Sequence, residues 1–389
     1  MTGQRASAPV VGMVGGGQLA RMTHQAAASL GVRLRVLAAS PGDSAAQVCP
    51  DVSVGDHTSL ADLRDFAARC DVLTFDHEHV PIEHVAALEQ AGVRVRPGAW
   101  ALHYAQDKLA MRGRLAALGL RCPRYRPVRT LDEVREFAAP GGWPVVLKAA
   151  RGGYDGKGVW VCHSPGEAGE ILAHDIPLIA EEHVQFRREL AAVVACSPHR
   201  QGAAFPVVQT VQRDGICHEV LAPAPDLRPG AAARIQELAL RVAAELGVTG
   251  LLAVELFEIT DGLLVNELAM RPHNSGHWTI EGARTSQFEQ HVRAVLDLPL
   301  GTPRIAAPKV AMANVFGGGC DAVGDVFARY GHVMASDPGA KLHFYGKEPR
   351  PGRKIGHVTV LGDAGDDIAV LRQRARRVAR YLGSGREDE

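Results

Sequence analysis

The sequence predicts an α/β protein: an N-terminal doubly wound parallel sheet, then an α+β central part and a small strand-rich C-terminal part. Three observations predict it. Strand-like and helix-like segments alternate through the first hundred residues. A glycine turn, Gly15-Gly-Gly17, joins the first strand to the first helix, and after residue 250 strands follow one another across short turns. At 389 residues the chain exceeds one ordinary core, so two or three domains are expected.

In chain order, residues 10–14 read as a strand, 18–30 as a helix, 33–37 as a strand, 59–69 as a helix and 72–75 as a strand. A helix at 82–91 and a short strand at 94–95 complete this unit, which Arg96-Pro-Gly98 ends. An amphipathic helix is expected near 107–118, and a strand at 145–149 runs into the glycine-rich stretch 151–158. More strands reach to about 211, a helix covers 231–246, and two adjacent strands cover 251–259 and 263–268. Beyond the Pro-rich linker 298–308 a strand-rich tail runs to about 361, and an Arg-rich helix at 367–381 closes the chain.

Charge and cysteine usage narrow the function classes. The 43 basic and 43 acidic side chains give a formal net charge of zero, which argues against nucleic acid or an anionic membrane as main partner. No apolar run approaches the roughly 20 residues of a membrane span, and the short N-terminal apolar stretch, broken by glycines, does not read as a secretory signal. The seven cysteines are scattered, with no C-x-x-C pair; they give no zinc signal and suit a cytoplasmic setting.

Gly15, Gly17 and Ala20 fit the G-x-G-x-x-A fingerprint of a dinucleotide site. The second strand, however, ends in Ala38-Ala-Ser40 without the acid that holds ribose hydroxyls in NAD sites. The turn therefore supports an anion at a helix N-terminus and gives little support to NAD. A second glycine loop, Arg151-Gly-Gly-Tyr-Asp-Gly-Lys-Gly158, follows a strand carrying Lys148. Such a loop can fold over phosphates, with Lys148 and Lys157 adding charge. It is not a Walker A loop, because Gly158 stands where Ser or Thr would hold Mg²⁺.

Glu255 and Glu267 lie on the two adjacent strands and are candidates for Mg²⁺ or Mn²⁺ bound with nucleotide phosphates. A two-residue turn at Asp261-Gly262 faces Glu267 with Leu256 and groups it with Glu258. A three-residue loop, Thr260-Asp-Gly262, puts Glu255 opposite Glu267. The second register is the metal-binding one, with Glu258 as the fallback. Further on, Arg271-Pro-His-Asn-Ser-Gly-His277 lacks a helix pattern and H-E-x-x-H, so it reads as a substrate loop and not a zinc site. Lys347-Glu-Pro-Arg-Pro-Gly-Arg-Lys354 is a basic segment in the tail.

The order of these parts resembles the ATP-grasp superfamily and, within it, the 5-(carboxyamino)imidazole ribonucleotide synthases of purine biosynthesis. The segments that carry the resemblance are Gly15-Gly-Gly-Gln-Leu19, Gly152-Gly-Tyr-Asp-Gly-Lys-Gly158, Arg271-Pro-His-Asn-Ser-Gly-His-Trp278 and Arg350-Pro-Gly-Arg-Lys-Ile-Gly-His357. The resemblance implies three parts: a Rossmann-like pre-ATP-grasp domain over 1–104, an ATP-grasp domain with a glycine lid over 105–301, and a small domain over 302–389 that completes the substrate site. It implies an ATP-dependent carbon–nitrogen ligase that takes 5-aminoimidazole ribonucleotide and bicarbonate, by way of carboxyphosphate, and works as a homodimer.

Residue roles follow from the resemblance. Lys108 and Lys148 would hold ATP phosphates beneath a lid of Gly153, Tyr154, Asp155, Gly156, Lys157, Gly158 and Val159. Backbone at Glu181, Glu182, His183 and Val184 would meet adenine, and Glu189 the ribose. Gln212, Asn266 and Glu267 would complete the ATP site, with Glu255 and Glu267 on the metal. Gln18, Leu19, Glu78, Asn274, Lys347, Arg353 and Lys354 would bind the ribonucleotide, its 5′-phosphate at the first glycine turn. Tyr154, Asp155, Lys157, Arg271 and His273 are the catalytic candidates.

The sequence departs from the family pattern at Asp76-His-Glu78, at Gln209-Thr-Val-Gln212, at Cys196 and at Met270; none of these touches the metal pair or the phosphate loop. The rival readings are another ATP-grasp ligase, such as the formate-dependent glycinamide ribonucleotide transformylase, and, from a different class, an NAD(P) oxidoreductase.

Overall fold

The computed structural model describes residues 8–153, 156–318 and 326–386; Tyr154 and Asp155 lie outside the described residues. Strands β1 (Val10–Val14), β2 (Arg33–Ala38), β3 (Val52–Val54) and β4 (Val72–Phe75) form a parallel sheet in the order β3-β2-β1-β4. Parallel strands covered on both faces must be apolar almost throughout, and all four residues of β4 are buried. One face packs through Met13 and Val36 against Ala20 of the helix Gln18–Ser29 and Val292 of the helix Gln287–Val295. The other packs through Val14 and Leu73 on Leu63, Phe66 and Leu88 of two further helices. Strand order reverses between β1 and β4, and a sheet of this kind opens a crevice at that point, beyond the carboxyl ends of the strands. The expected strand at 94–95 is only a single parallel bridge, Val95 to Leu73.

The central part contains a small antiparallel sheet of β5 (Tyr125–Val128), β6 (Val145–Ala149), β7 (Val159–Cys162) and β8 (Leu178–Glu182), ordered β5-β8-β6-β7. Alternation along β6 buries Val145, Leu147 and Ala149 and turns Val146 and Lys148 the other way. The larger sheet is antiparallel throughout. Its strands are β9 (Arg188–Cys196), β10 (Gly202–Ala204), β11 (Val208–Arg213), β12 (Ile216–Ala222), β13 (Gly250–Ile259), β14 (Gly262–Ala269), β15 (Lys309–Phe316), β16 (Lys341–Phe344) and β17 (Lys354–Gly362). They run β14-β13-β9-β11-β12-β15-β17-β16, with β10 on β9.

The C-terminal strands continue this sheet: β15 pairs with β12. The helix Ile368–Ser384 covers them through Leu371, Ala375 and Leu382, capped by the Asp367 side chain and ended by Gly385 at φ +76°. Specific bonds lock the segments together. Thr74 Oγ1 and His291 Nε2 are 2.8 Å apart, and the Gln47 amide donates to the Gly346 carbonyl at 2.8 Å. Among the described residues no helix is long and apolar enough to cross a membrane.

Candidate active site

A cleft of about 990 Å³ runs between the two antiparallel sheets and reaches the crevice at β1 and β4. It collects side chains from every part of the chain, from Gln18 to Lys354.

One end is built on the β13–β14 hairpin. Ile259 pairs with Gly262, so the turn is Thr260-Asp261, one residue earlier than the expected two-residue turn and one residue shorter than the expected loop. Carried straight on, that register would set Glu255 against Asn266. A β-bulge between Leu256 and Glu255 absorbs Asn266 as an extra residue, and Glu255 pairs with Glu267. The expected carboxylate pair thus forms by a route that the turn does not dictate. Glu258, the fallback, is held by Arg188 at 2.5 Å.

Cations surround the bulge. Lys108 Nζ lies 3.2 Å from Glu267, and Lys148 Nζ contacts Glu181 at 2.7 Å and donates to Asn266 at 3.2 Å. Burial pushes the Glu255 carboxyl up, helped by the facing Glu267 and by Glu189, to about 8. Burial acts on Glu267 too, but its side chain is still 45% exposed and Lys108 and Lys148 outweigh desolvation, holding it below the usual range. Two facing carboxylates, one of them reluctant to ionise, suit a divalent cation. Among the described residues no group of three His, Cys, Asp or Glu forms a protein-only metal cage.

His273 Nδ1 meets the Ser275 backbone N–H at 3.3 Å and the Ser275 hydroxyl at 2.8 Å, and its Nε2 faces Glu255 at 3.3 Å. His273 is therefore a partner of the carboxylate pair.

Along the cleft, Glu181, Glu182, His183 and Val184 form one wall beside Phe257. The Glu181 side chain is buried and paired with both Arg112 and Lys148. Glu189 and Gln212 line the same cavity, Gln212 opposite a second bulge, which falls at His218 in β12. Of the glycine loop, Gly153, Gly156, Lys157 and Val159 border the cleft. Gly158 does not; at φ +74° its carbonyl accepts from the Ala149 N–H at 2.8 Å.

At the other end, Arg271 Nε donates to Glu78 at 2.6 Å, Lys347 pairs with Gln18, and Asn274 and Asn314 exchange amide hydrogen bonds of 3.1 and 2.8 Å. Leu19 and Lys354 complete this end. Arg353 lies instead in an adjoining crevice beside Gly15–Gly17 and Lys347. The first glycine turn already faces an internal carboxyl: Asp76, its pKa pushed up by burial, accepts from the N–H groups of Gly17 and Ala20. Part of the helix N-terminus expected to receive a phosphate is thus spent on Asp76.

The sequence reading missed Asp76, Arg112, Asn314 and Phe257. Arg112 alone left a signal, being a charge on an apolar helix stripe; the others depend on long-range pairing.

The parallel-sheet unit, the two antiparallel sheets and the lysine–carboxylate cleft between them define the class, an ATP-grasp ligase. Family models match in the same order: the ribonucleotide synthetase preATP-grasp domain over residues 9–106, the ATP-grasp domain over 113–288 and the phosphoribosylaminoimidazole carboxylase C-terminal domain over 310–370. The N5-carboxyaminoimidazole ribonucleotide synthase of Mycobacterium tuberculosis is 57% identical over 384 residues, 97% of this chain and 89% of that one. The synthetase structure from Thermus thermophilus aligns with a TM-score of 0.85 at 37% identity, covering 95% of this chain and 98% of its own. The Aspergillus clavatus synthase, solved with ADP and 5-aminoimidazole ribonucleotide, aligns at 0.86 with 30% identity, covering 97% and 99%. The chain belongs to the N5-carboxyaminoimidazole ribonucleotide synthase family.

Proposed function

We propose that this enzyme uses ATP and bicarbonate to carboxylate the exocyclic amine of 5-aminoimidazole ribonucleotide, releasing ADP and phosphate. The observation that carries the reading is the continuity of one cleft from the Glu255–Glu267 pair to the Arg271, Lys347 and Lys354 cluster. A nucleotide at one end and an anionic ribonucleotide at the other can meet across it.

A bicarbonate oxygen attacks the γ-phosphorus and ADP leaves. The amine nitrogen then bonds to the carboxyl carbon of carboxyphosphate, or to CO₂ released from it, and phosphate departs. Lys108 and Lys148 hold phosphate oxygens, Glu189 accepts from ribose hydroxyls, and the 181–184 wall meets adenine. Glu255 and Glu267 would hold Mg²⁺ or Mn²⁺, which would supply charge neutralisation for phosphoryl transfer. Arg271 and His273, with Tyr154, Asp155 and Lys157, orient bicarbonate and handle protons, and the glycine loop keeps carboxyphosphate from water. Gln18, Leu19, Glu78 and Asn274 hold the ribonucleotide with Lys347, Arg353 and Lys354. The reading includes a cytoplasmic homodimer, and sedimentation of the purified chain tests the dimer.

The deciding assay measures ADP release with and without the ribonucleotide and bicarbonate. Stimulation by both is expected; no response to the ribonucleotide overturns the assignment. Glu267→Gln is expected to abolish turnover with circular dichroism unchanged, and a fully active variant removes the metal role.

A further inference from the structure

The helix Lys108–Ala117 buries Lys108, Met111, Arg112 and Leu115, an i, i+3, i+4, i+7 stripe that apolar side chains normally fill. Arg112 sits in that stripe at 0% exposure. A guanidinium is costly to desolvate unless its donors meet acceptors in good geometry. Here Nε donates to Glu181 Oε1 at 2.9 Å and Nη1 donates to the Val265 carbonyl at 2.8 Å, while Nη2 lies 2.7 Å from the same Glu181 oxygen without hydrogen-bond alignment.

Both acceptors lead to the reacting end of the cleft. The other oxygen of Glu181, itself 2% exposed, contacts Lys148, which in turn reaches Asn266. Val265 is the last residue before the bulge that aligns Glu267 with Glu255. We propose that Arg112 is a positioning residue for the ATP-phosphate and metal end of the cleft, aiming Lys148 through Glu181 and fixing the Asn266–Glu267 bulge through the Val265 carbonyl. The proposal rests on the reading of Lys148 and Glu267 as phosphate and metal holders.

Two physical points support it. A carboxylate shared between two cations grips each less than a lone pair would. Arg112 thus satisfies Glu181 while leaving Lys148 able to lean toward a phosphate. The planar fork also reaches two acceptors at a fixed angle, which one lysine ammonium cannot reproduce. Arg112 does not line the cleft, so its effect must travel through these neighbours.

The test compares Arg112→Met and Arg112→Lys with the unaltered enzyme. KM for ATP, the Mg²⁺ concentration for half-maximal rate and KM for 5-aminoimidazole ribonucleotide are measured beside thermal unfolding. Arg112→Met is expected to raise the KM for ATP and the Mg²⁺ requirement about tenfold, with the KM for the ribonucleotide within twofold. Arg112→Lys, which keeps the charge on Glu181 but loses the second arm, is expected to raise mainly the Mg²⁺ requirement, by at least threefold. If a lowered melting temperature accompanies unchanged ATP and Mg²⁺ dependence, Arg112 is only structural and the proposal falls. Should Arg112→Met not fold, the Lys variant decides alone, and wild-type Mg²⁺ dependence there overturns it. Lys148→Met separates the two readings: full activity in that variant removes the phosphate role of Lys148 itself, whatever Arg112 does.

Discussion

Burial pushes the Glu189 carboxyl from an ordinary 4.5 up to about 7, against a smaller opposing pull from the Gln212 backbone N–H. A raised carboxyl pKa favours the fold below pH 4.5, and this contribution is lost as pH rises through about 7. Glu189→Gln is therefore expected to unfold at a higher temperature than the unaltered enzyme at pH 8, with the difference vanishing near pH 4.5. If the ionised form accepts from the ribose hydroxyls, KM for ATP should fall as pH rises through 7, and the Gln variant should lose that dependence. A flat KM profile in the unaltered enzyme would remove Glu189 from the ribose. Arg271 and Glu78 are counter-ions across the β4 crevice, and removing either strands a partly buried charge, a worse outcome than losing a surface pair.

The glycine loop and the β11–β12 hairpin meet backbone to backbone. A Cβ on Gly156 would stand 2.7 Å from the Asp214 carbonyl oxygen, and one on Gly215 would stand 2.9 Å from the Gly156 Cα. Both glycines have positive φ, +76° and +72°, so a side chain there adds strain to the clash. Gly215→Ala is expected to hold the loop away from this seat and let carboxyphosphate reach water. ADP release should then exceed carboxylated product by at least twofold, whereas the unaltered enzyme keeps them equal. Equal yields in the variant would show that this contact does not seal the loop. Sequence spacing was informative at this scale for the strands and glycine loops, because period and turn chemistry are local. It did not reveal the Asn266 bulge. The bulge answers also to the buried Arg112 fork and Lys148, neither of which is near it in sequence.

At the scale of the molecule, the C-terminal strands are part of the sheet that carries Glu255 and Glu267, joined through β12 and β15. Removing residues 309–389 would leave β12 as an open edge and uncover the face beneath the helix Ile368–Ser384. The truncated chain is expected to lose cooperative unfolding and to aggregate; a sharp thermal transition by circular dichroism would contradict this. A ligand that binds only the folded chain should also stabilise it. MgATP at a hundred times its Kd is expected to add about 2.7 kcal/mol.

By itself the sequence determined the alternation of strand and helix that makes the first unit doubly wound, the two glycine loops and Lys148. Its ordered motifs also placed the chain among ATP-grasp ligases. These are properties of neighbours along the chain, set by backbone freedom, side-chain period and charge type. Only the tertiary structure decided that Glu255 faces Glu267 through a bulge, that Asp76 occupies part of the first glycine turn, and that Arg112 stands buried between Glu181 and Val265. Each depends on residues brought together by packing, where the cost of burying an unpaired charge selects a partner that sequence distance does not reveal.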